Sequence, residues 1–375
     1  MTELMWANSG DSHILEPPEL WRERMPRGLG ERMPRAERID ADREVIHIDG
    51  QSFERRMPAV VREGEFAGLT FEQLESRPPG SWDVDLRLTD LDAEGIWGEV
   101  VYPSLGLWNG LIHDEELYRE GVRVLNDWQL ETILAVTPRL IPTAALSILS
   151  VDDAVEETWR CAELGFQAIQ LPTWPTERVP NFNRSYWEPL WTAAEQAEMV
   201  VAFHIGSDAR PPGEGNVVFR GPGGAVLNYV ETTYGGQRVA TMLVTSGVLD
   251  RHPALRVLIS EGGASWVPFI ADRMDEGYRQ HGMFVQPKLS RLPGEILYDQ
   301  VYTSFQHDRS AVRAYEAMGY RNILWGSDYP HIEGTFGHTQ KTLHELFDDA
   351  DPATTDRLTR GAFLELFPSV GAPPA

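Results

Sequence analysis

The chain has 375 residues, which suits one large domain or two ordinary ones and is long enough to bury a full core. Its 57 acidic and 33 basic residues give a net charge of −24, which disfavours nucleic acid and anionic membranes because both require basic patches. The single cysteine excludes an intramolecular disulfide and a cysteine-rich zinc site. With no apolar run near the roughly 18 residues of a membrane span and no signal-peptide pattern, we expect a cytoplasmic protein.

The N-terminal part predicts a short strand followed by an insertion. Residues 7–18 form the strand, on which Asp11 and His13 are two positions apart and therefore point to the same face. Residues 20–85 are rich in Arg, Glu, Pro and Met, and we interpret them as an insertion packed on one main domain that spans 1–375. Within the insertion, residues 45–53 predict a β-hairpin that turns at Asp49 and Gly50.

From residue 86 onward, helical and strand patterns alternate along the chain. Further strands are predicted at residues 97–103, 140–146, 166–172, 199–205, 255–261, 298–305 and 323–325. Eight strands that alternate with helices predict an α/β fold, specifically a (β/α)8 TIM barrel. A doubly wound open sheet is the alternative, but the first strand is followed by Glu-Pro-Pro and the sequence contains no G-x-G-x-x-G turn.

Polar residues recur where these strands end. In a barrel the C-terminal ends of the strands meet at one mouth, where active sites are found. Two imidazoles with one or two carboxylates form a suitable ligand set for one divalent metal ion, zinc or manganese. The sequence therefore predicts a metal site at the mouth, and its expected ligands are Asp11, His13, His204 and Asp328.

Other polar residues near the strand ends are candidates for substrate binding or for support of the site. They are Glu261, His331, His307, Arg309 and Glu16. Arg309 suits either a substrate carboxylate or a helix cap, and Glu16 suits either support of the site or a cap. The loop at 206–226 is long, and we interpret it as a lid or as a solvated connection.

Three motifs resemble the amidohydrolase 2 branch of the amidohydrolase superfamily, which holds the aminocarboxymuconate-semialdehyde and γ-resorcylate decarboxylases. The motifs are Asp-Ser-His-Ile-Leu-Glu-Pro at 11–17, Phe-His-Ile-Gly at 203–206 and Gly-Ser-Asp-Tyr-Pro-His at 326–331. The resemblance implies a metal-centred barrel in which His204 is the strand-five ligand and Asp328 is both ligand and proton carrier. The chain departs from the family at Glu261, where a histidine usually precedes the Gly-Gly pair.

The resemblance favours non-oxidative decarboxylation of an aromatic or unsaturated carboxylate, with Asp328 and His204 as the catalytic residues. The same residues also suit hydrolysis of a lactone, an amide or a carbon–carbon bond by a metal-activated water. Because Glu261 changes the charge of the site, a non-catalytic binding barrel is a third hypothesis. The expected partner is a small-molecule carboxylate, without nucleic acid or membrane, and the resemblance implies a homo-oligomer.

Overall fold

The computed structural model describes residues 4–26, 28–39, 43–56, 78–209, 219 and 221–373. Its strands are β1 (Ala7–Ser9), β2 (His13–Ile14), β3 (Arg35–Arg38), β4 (Arg43–Ile48), β5 (Gln51–Arg56), β6 (Ile96–Pro103), β7 (Leu140–Ala145), β8 (Ala168–Leu171), β9 (Val200–His204), β10 (Val257–Ser260), β11 (Val301–Phe305) and β12 (Ile323–Trp325). Apart from β3, β4 and β5, these strands belong to one parallel sheet.

The parallel sheet curls into a barrel of eight strand positions. Its neighbours run in the order β1, β6, β7, β8, β9, β10, β11 and β12, and β2 continues the first position by pairing with β6. The last position returns to the first, because Gly10 N donates to Trp325 O at 2.8 Å and Asp328 N donates to Asp11 O at 3.0 Å. The predicted (β/α)8 barrel is therefore confirmed.

Helices connect the barrel strands and cover the outside of the sheet. They are α1 (Leu20–Arg24), α2 (Val84–Glu94), α3 (Glu115–Gln129), α4 (Val151–Glu163), α5 (Glu188–Gln196), α6 (Gly224–Thr245), α7 (Val248–Arg251), α8 (Trp266–Gln280), α9 (Pro293–Gln300), α10 (Arg309–Met318), α11 (Thr339–Phe347), α12 (Pro352–Asp356) and α13 (Ala362–Leu366). Short 3-10 turns lie at Gly30–Arg32, Pro79–Ser81, Gly106–Leu111, Ser185–Trp187 and Pro368–Val370, and π-helical turns at Leu130–Leu134 and Arg357–Gly361.

Side-chain caps fix where several of these helices begin. Asp83 accepts from Leu86 N before α2, Asp114 accepts from Leu117 N before α3, and Ser150 accepts from Asp153 N before α4. Each cap satisfies one amide that has no partner within its own helix. Of these helices, α3 begins after the loop that follows β6, and α4 begins soon after β7.

The predicted hairpin is confirmed, with β4 and β5 joined at Asp49 and Gly50. Both turn residues have positive φ, 47° and 76°, as a two-residue hairpin turn requires. The sequence missed β3, which pairs with β4, because Arg35–Arg38 shows no apolar alternation. Residues 57–77 of the segment 20–85 lie outside the described residues, so the division into a barrel and an insertion stays a prediction.

Two element boundaries differ from the sequence prediction. The strand predicted at 298–305 begins only at Val301, because Pro293 starts α9, where Glu295 Oε2 accepts from Leu292 N. The helical pattern between the strands predicted at 199–205 and 255–261 forms two helices, α6 and α7, which are divided at Gly247 with a φ of 75°. None of the helices in the described ranges combines the length and apolar character needed to cross a bilayer.

Candidate metal centre

Four strand positions bring the predicted metal ligands together at the barrel mouth. Asp11 lies in the break between β1 and β2, His13 begins β2, His204 ends β9, and Asp328 follows β12. All four side chains are buried. Barrel closure brings the first strand position next to the last, since His13 N donates to Tyr329 O at 2.6 Å.

The ligand atoms of this cluster converge on one point. His13 Nε2 and His204 Nε2 are 2.9 Å apart, and His204 Nε2 lies 3.4 Å from Asp11 Oδ1. Asp328 Oδ1 lies 3.5 Å from His13 Nε2. Asp11, His13 and His204 each offer a ligand atom within 4.8 Å of the others, the size of a site for one ion.

Unpartnered buried oxygens show that these residues fit a cation. Among the described residues, both carboxylate oxygens of Asp11 and Oδ2 of Asp328 are buried without a hydrogen-bond partner. Buried carboxylates are costly unless a charge or a hydrogen bond compensates them. Two carboxylates facing two imidazole nitrogens form a donor set typical of zinc or manganese sites.

The two histidines direct their Nε2 atoms to this point. His204 Nδ1 donates to Ile205 O at 2.7 Å, which leaves the Nε2 lone pair directed at the cluster. Burial would lower the pKa of His204, but Asp11 raises it overall. Burial lowers the pKa of His13 well below its usual value, helped by the charges of His331 and His204. His13 is therefore a neutral imidazole suited to metal binding.

Asp328 forms a hydrogen bond with the imidazole of His331, a residue that the sequence indicated only as a candidate for substrate binding or for support of the site. His331 Nδ1 donates to Asp328 Oδ1 at 2.8 Å, and the His331 ring stacks on His13 with centroids 4.0 Å apart. Burial raises the pKa of Asp328 to about 6, although His331 opposes the shift and Asp11 adds to it. Asp328 thus holds or releases a proton close to neutral pH.

Glu261 adds a third carboxylate to the cluster. It follows β10, and its side chain is only 12% exposed, with Oε2 at 3.5 Å from His204 Nε2. Burial, and then the charges of Asp328 and Asp11, raise the pKa of Glu261 well above its usual range. The Glu261 carboxylate therefore faces the same centre.

Two of the site carboxylates have a left-handed backbone. Asp328 has a φ of 54° and Glu261 a φ of 59°, which is uncommon for residues with a side chain. Such conformations persist where the surrounding structure holds them, often at functional sites. Here Ser304 Oγ accepts from Glu261 N at 2.8 Å, and Asp11 O accepts from Asp328 N at 3.0 Å.

The remaining predicted residues lie further from the centre. Glu16 accepts hydrogen bonds from the amides of Ser104, Leu105 and Gly106 at 3.2, 2.9 and 2.7 Å, so it caps the turn after β6 rather than the next helix in the chain, α1. His307 is exposed and its Nε2 donates to a backbone carbonyl at 3.1 Å. Arg309 is exposed as the first residue of α10. Substrate roles for the last two stay predictions.

A buried ion pair behind the ligands was missed by sequence reasoning. Arg87 Nε donates to Glu99 Oε2 at 2.8 Å, and Arg87 Nη1 donates to His13 O at 2.8 Å. Ser327 Oγ donates to Glu99 Oε1 at 3.3 Å beside Asp328. The available signal was Glu99 itself, because a charged residue in the middle of an apolar strand requires a partner.

Residues 210–218 and 220 of the loop proposed as a lid, 206–226, lie outside the described residues. The lid therefore stays a prediction. The described end of this segment leads into α6 through Gly223, which has a φ of 78°.

Fold and site together define a (β/α)8 barrel with a candidate centre for one divalent metal ion. Residues 107–362 match the family model described as amidohydrolase, and the chain belongs to this family. Family, fold and donor set together indicate a metal-dependent enzyme.

Similar proteins agree with this assignment. Decarboxylase macB from Penicillium terrestre is 27% identical over 195 residues, 48% of this chain and 53% of that protein, so the match spans about half of the relative. The amidohydrolase map2389c from Mycobacterium avium subsp. paratuberculosis K-10 has a TM-score of 0.78 at 19% identity, covering 97% of this chain and 100% of that chain. A dihydroxybenzoic acid decarboxylase from Polaromonas sp. JS666, with bound manganese and the inhibitor 2-nitroresorcinol, has a TM-score of 0.65 at 19% identity, covering 98% of each chain.

Proposed function

We propose that this chain is a metal-dependent, non-oxidative decarboxylase of an aromatic or unsaturated carboxylate. The observation that carries the proposal is the convergence of Asp11, His13, His204 and Asp328 around buried oxygens that lack hydrogen-bond partners in the described structure. The choice of decarboxylation is supported by the named activity of macB and of the Polaromonas protein. Hydrolysis by a metal-activated water would use the same residues, but no observation favours it.

One divalent ion is the cofactor, and we propose manganese ahead of zinc because a similar decarboxylase binds manganese. When bound, the ion supplies positive charge that orients the substrate carboxylate and stabilises developing negative charge. Asp11, His13, His204 and Asp328 would hold it. Their burial excludes bulk water, which strengthens these electrostatic interactions.

Asp328 supplies the proton in this proposal. Burial raises the pKa of Asp328 to about 6, which brings its proton transfer closer to neutral pH. The proton moves to the carbon that loses CO2, so that one carbon–carbon bond breaks, one carbon–hydrogen bond forms and CO2 leaves. His331 Nδ1, at 2.8 Å from Asp328 Oδ1, is placed to return a proton from solvent to the carboxylate.

The test is product analysis of the manganese-loaded protein with a panel of carboxyl-13C hydroxybenzoates in D2O. We expect labelled CO2 in equal amount to the decarboxylated arene, with one deuterium at the vacated carbon. A chelator should prevent both the release of labelled CO2 and the formation of the decarboxylated arene. Absence of labelled CO2 from every panel member, or turnover only of a parallel lactone and amide panel, would contradict the proposal.

The substrate class is a proposal, and so are the expectations about partners and cellular location. A homo-oligomer, the absence of nucleic-acid and membrane partners, and a cytoplasmic location all stay predictions.

A further inference from the structure

Tyr102 lies inside the barrel beside the rings of two candidate metal ligands. It belongs to β6 and is fully buried. Its ring centroid is 5.0 Å from that of His204, with the two planes at 66°, and 5.9 Å from that of His13, with the planes at 39°. Because both imidazoles pack on one phenol ring, the position of that ring limits where their Nε2 atoms can lie.

The Tyr102 hydroxyl begins a chain of hydrogen bonds across the barrel interior. Its oxygen lies 2.6 Å from Ser260 Oγ, and Ser260 Oγ donates to Gly10 O at 3.1 Å. A hydroxyl has one proton to donate, and a carbonyl oxygen can only accept. The Ser260 proton is used on Gly10 O, so Tyr102 donates to Ser260. These two residues, the hydroxyl pair, connect β6 and β10 to the segment between β1 and β2.

The carbonyl at the end of this chain belongs to the peptide that precedes Asp11. Gly10 and Asp11 lie between β1 and β2, outside either strand. The peptide that follows Asp11 is held separately, since Asp11 O accepts from Ser9 Oγ at 2.6 Å and from Asp328 N at 3.0 Å. Both carboxylate oxygens of Asp11 lack a hydrogen-bond partner in the described structure. The direction of this carboxylate therefore depends on the two flanking peptides, and Ser260 holds one of them.

Ser260 also contacts the backbone beside a second candidate ligand. It is the register partner of His204 where β10 pairs with β9, and Ile205 N donates to Ser260 O at 3.3 Å. Ile205 O in turn accepts from His204 Nδ1 at 2.7 Å. Ser260 thus joins the backbone next to His204 to the backbone next to Asp11.

The hydroxyl pair lies in surroundings that are otherwise apolar. Tyr102 packs in a buried cluster with Val100, Ala202 and Leu258, and Ser260 is the alternate residue to Leu258 on β10. Replacing both partners of a buried hydrogen bond by apolar groups of similar shape costs little stability. Folding alone therefore gives little reason for two hydroxyls here, whereas the orientation of the ligands does.

We infer that Tyr102 and Ser260 are positioning residues for metal binding, and that they hold Asp11, His13 and His204 in place before the ion arrives. The inference rests on the metal-dependent function proposed above, but it concerns binding of the ion and not the reaction. Ligands that are already in place lose less freedom when they bind. Loss of the groups behind metal ligands commonly weakens metal binding about 10–100-fold.

Equilibrium binding of manganese to the full-length, metal-free chain tests this inference without turnover. Electron paramagnetic resonance follows the free ion during the titration. We expect Ser260→Ala to weaken manganese binding about 10–100-fold, because the peptide before Asp11 loses its donor. Tyr102→Phe keeps the ring that packs on the histidines, and Ser260 can still donate to Gly10 O, so the loss of affinity should be smaller.

The double variant Tyr102→Phe/Ser260→Ala separates positioning from stability. Ser260→Ala alone leaves the phenol hydroxyl buried without an acceptor, which lowers the thermal midpoint of the metal-free protein. In the double variant this midpoint should recover, whereas manganese should bind as weakly as it does to Ser260→Ala. The matched control is Tyr320→Phe, because the buried Tyr320 hydroxyl donates to Val301 O at 2.8 Å, where β11 begins. It should leave manganese affinity unchanged.

Two results would overturn the inference: unchanged manganese affinity in Ser260→Ala, or recovery of the affinity together with the thermal midpoint in the double variant. The outcome is separable from that of the decarboxylation test. If affinity falls in Ser260→Ala but the unsubstituted protein releases no CO2, only the proposed reaction is contradicted. If CO2 is released and affinity is unchanged in Ser260→Ala, only the positioning role is contradicted.

Discussion

Asp328 combines a strained backbone, full burial and a bonded imidazole in one residue. Its φ of 54° turns the chain directly after β12, which directs the carboxylate into the barrel mouth. One oxygen accepts from His331, and the other has no hydrogen-bond partner in the described structure. This division suits a group that binds a cation and also carries a proton.

The first prediction is that Asp328→Asn strongly lowers turnover without unfolding the protein. Loss of a general acid lowers kcat by about 10²–10⁴-fold, and the amide is nearly the same size as the carboxylate. The measurements are kcat at saturating manganese and the thermal midpoint. The control Asp349→Asn, at an exposed site, should leave both unchanged. Retained turnover in Asp328→Asn would show that another group delivers the proton.

Glu16 shows how a single buried side chain organises a neighbouring element. Its carboxylate is 5% exposed and accepts from three successive amides at the start of the 3-10 turn Gly106–Leu111. These amides lack partners within the turn, as at the start of any helix. The residue therefore joins the end of β2 to the segment after β6.

The second prediction is that Glu16→Ala destabilises the fold by about 1–3 kcal/mol, because buried amides lose their acceptor. Denaturant unfolding measures the change. Glu19→Ala, at an exposed neighbour, should change the free energy of unfolding by less than about 0.5 kcal/mol. Equal stabilities of the two variants would mean that the carboxylate contributes little to this turn.

The Arg87–Glu99 pair connects elements on both sides of the barrel closure. Arg87 comes from α2 and Glu99 from β6, and both are fully buried. Arg87 donates to the backbone carbonyl of the candidate ligand His13. Glu99 accepts from Ser327 Oγ, next to the candidate ligand Asp328. Groups behind metal ligands orient them, and their loss commonly weakens metal binding.

The third prediction concerns Arg87→Met, which leaves Glu99 as a buried charge. We expect a loss of about 3–5 kcal/mol in the free energy of unfolding and about 10–100-fold weaker manganese binding. Metal titration and denaturant unfolding give the two values. In Arg87→Met/Glu99→Leu, stability should recover while metal affinity stays low. Recovery of both would make the pair purely structural, and the exposed control Arg273→Met should change neither.

The sequence was sufficient for the strand order and for the main ligand candidates. Buried apolar runs marked the strands, and barrel geometry brings their ends together, which is why residues such as Asp11, His204 and Asp328 could be selected. Contacts that depend on distant partners could not be selected. Glu99 finds its partner on α2, which no local pattern encodes.

The whole molecule is acidic, and its candidate metal centre is also rich in carboxylates. Asp11, Glu261 and Asp328 offer carboxylate oxygens within 4.8 Å of one another inside a chain of net charge −24. Like charges buried together destabilise the folded state until a cation compensates them. A bound metal should therefore stabilise the fold as well as serve catalysis.

The fourth prediction is that manganese raises the thermal midpoint and a chelator lowers it. At 100 times the dissociation constant, a ligand stabilises the folded state by about 2.7 kcal/mol. Scanning calorimetry with and without metal measures the shift. In His13→Ala/His204→Ala the shift should disappear, whereas His344→Ala, at an exposed residue of α11, should retain it. A shift that persists in the double variant would place the metal elsewhere.

The most direct test of the account is the position of the metal itself. Anomalous diffraction at the manganese absorption edge, from crystals of the loaded protein, should give one peak at the barrel mouth. The peak should lie about 2.0–2.2 Å from Asp11, His13, His204 and Asp328 ligand atoms, the usual range for nitrogen and oxygen ligands. A peak away from these four residues, or none at full metal loading, would contradict the account.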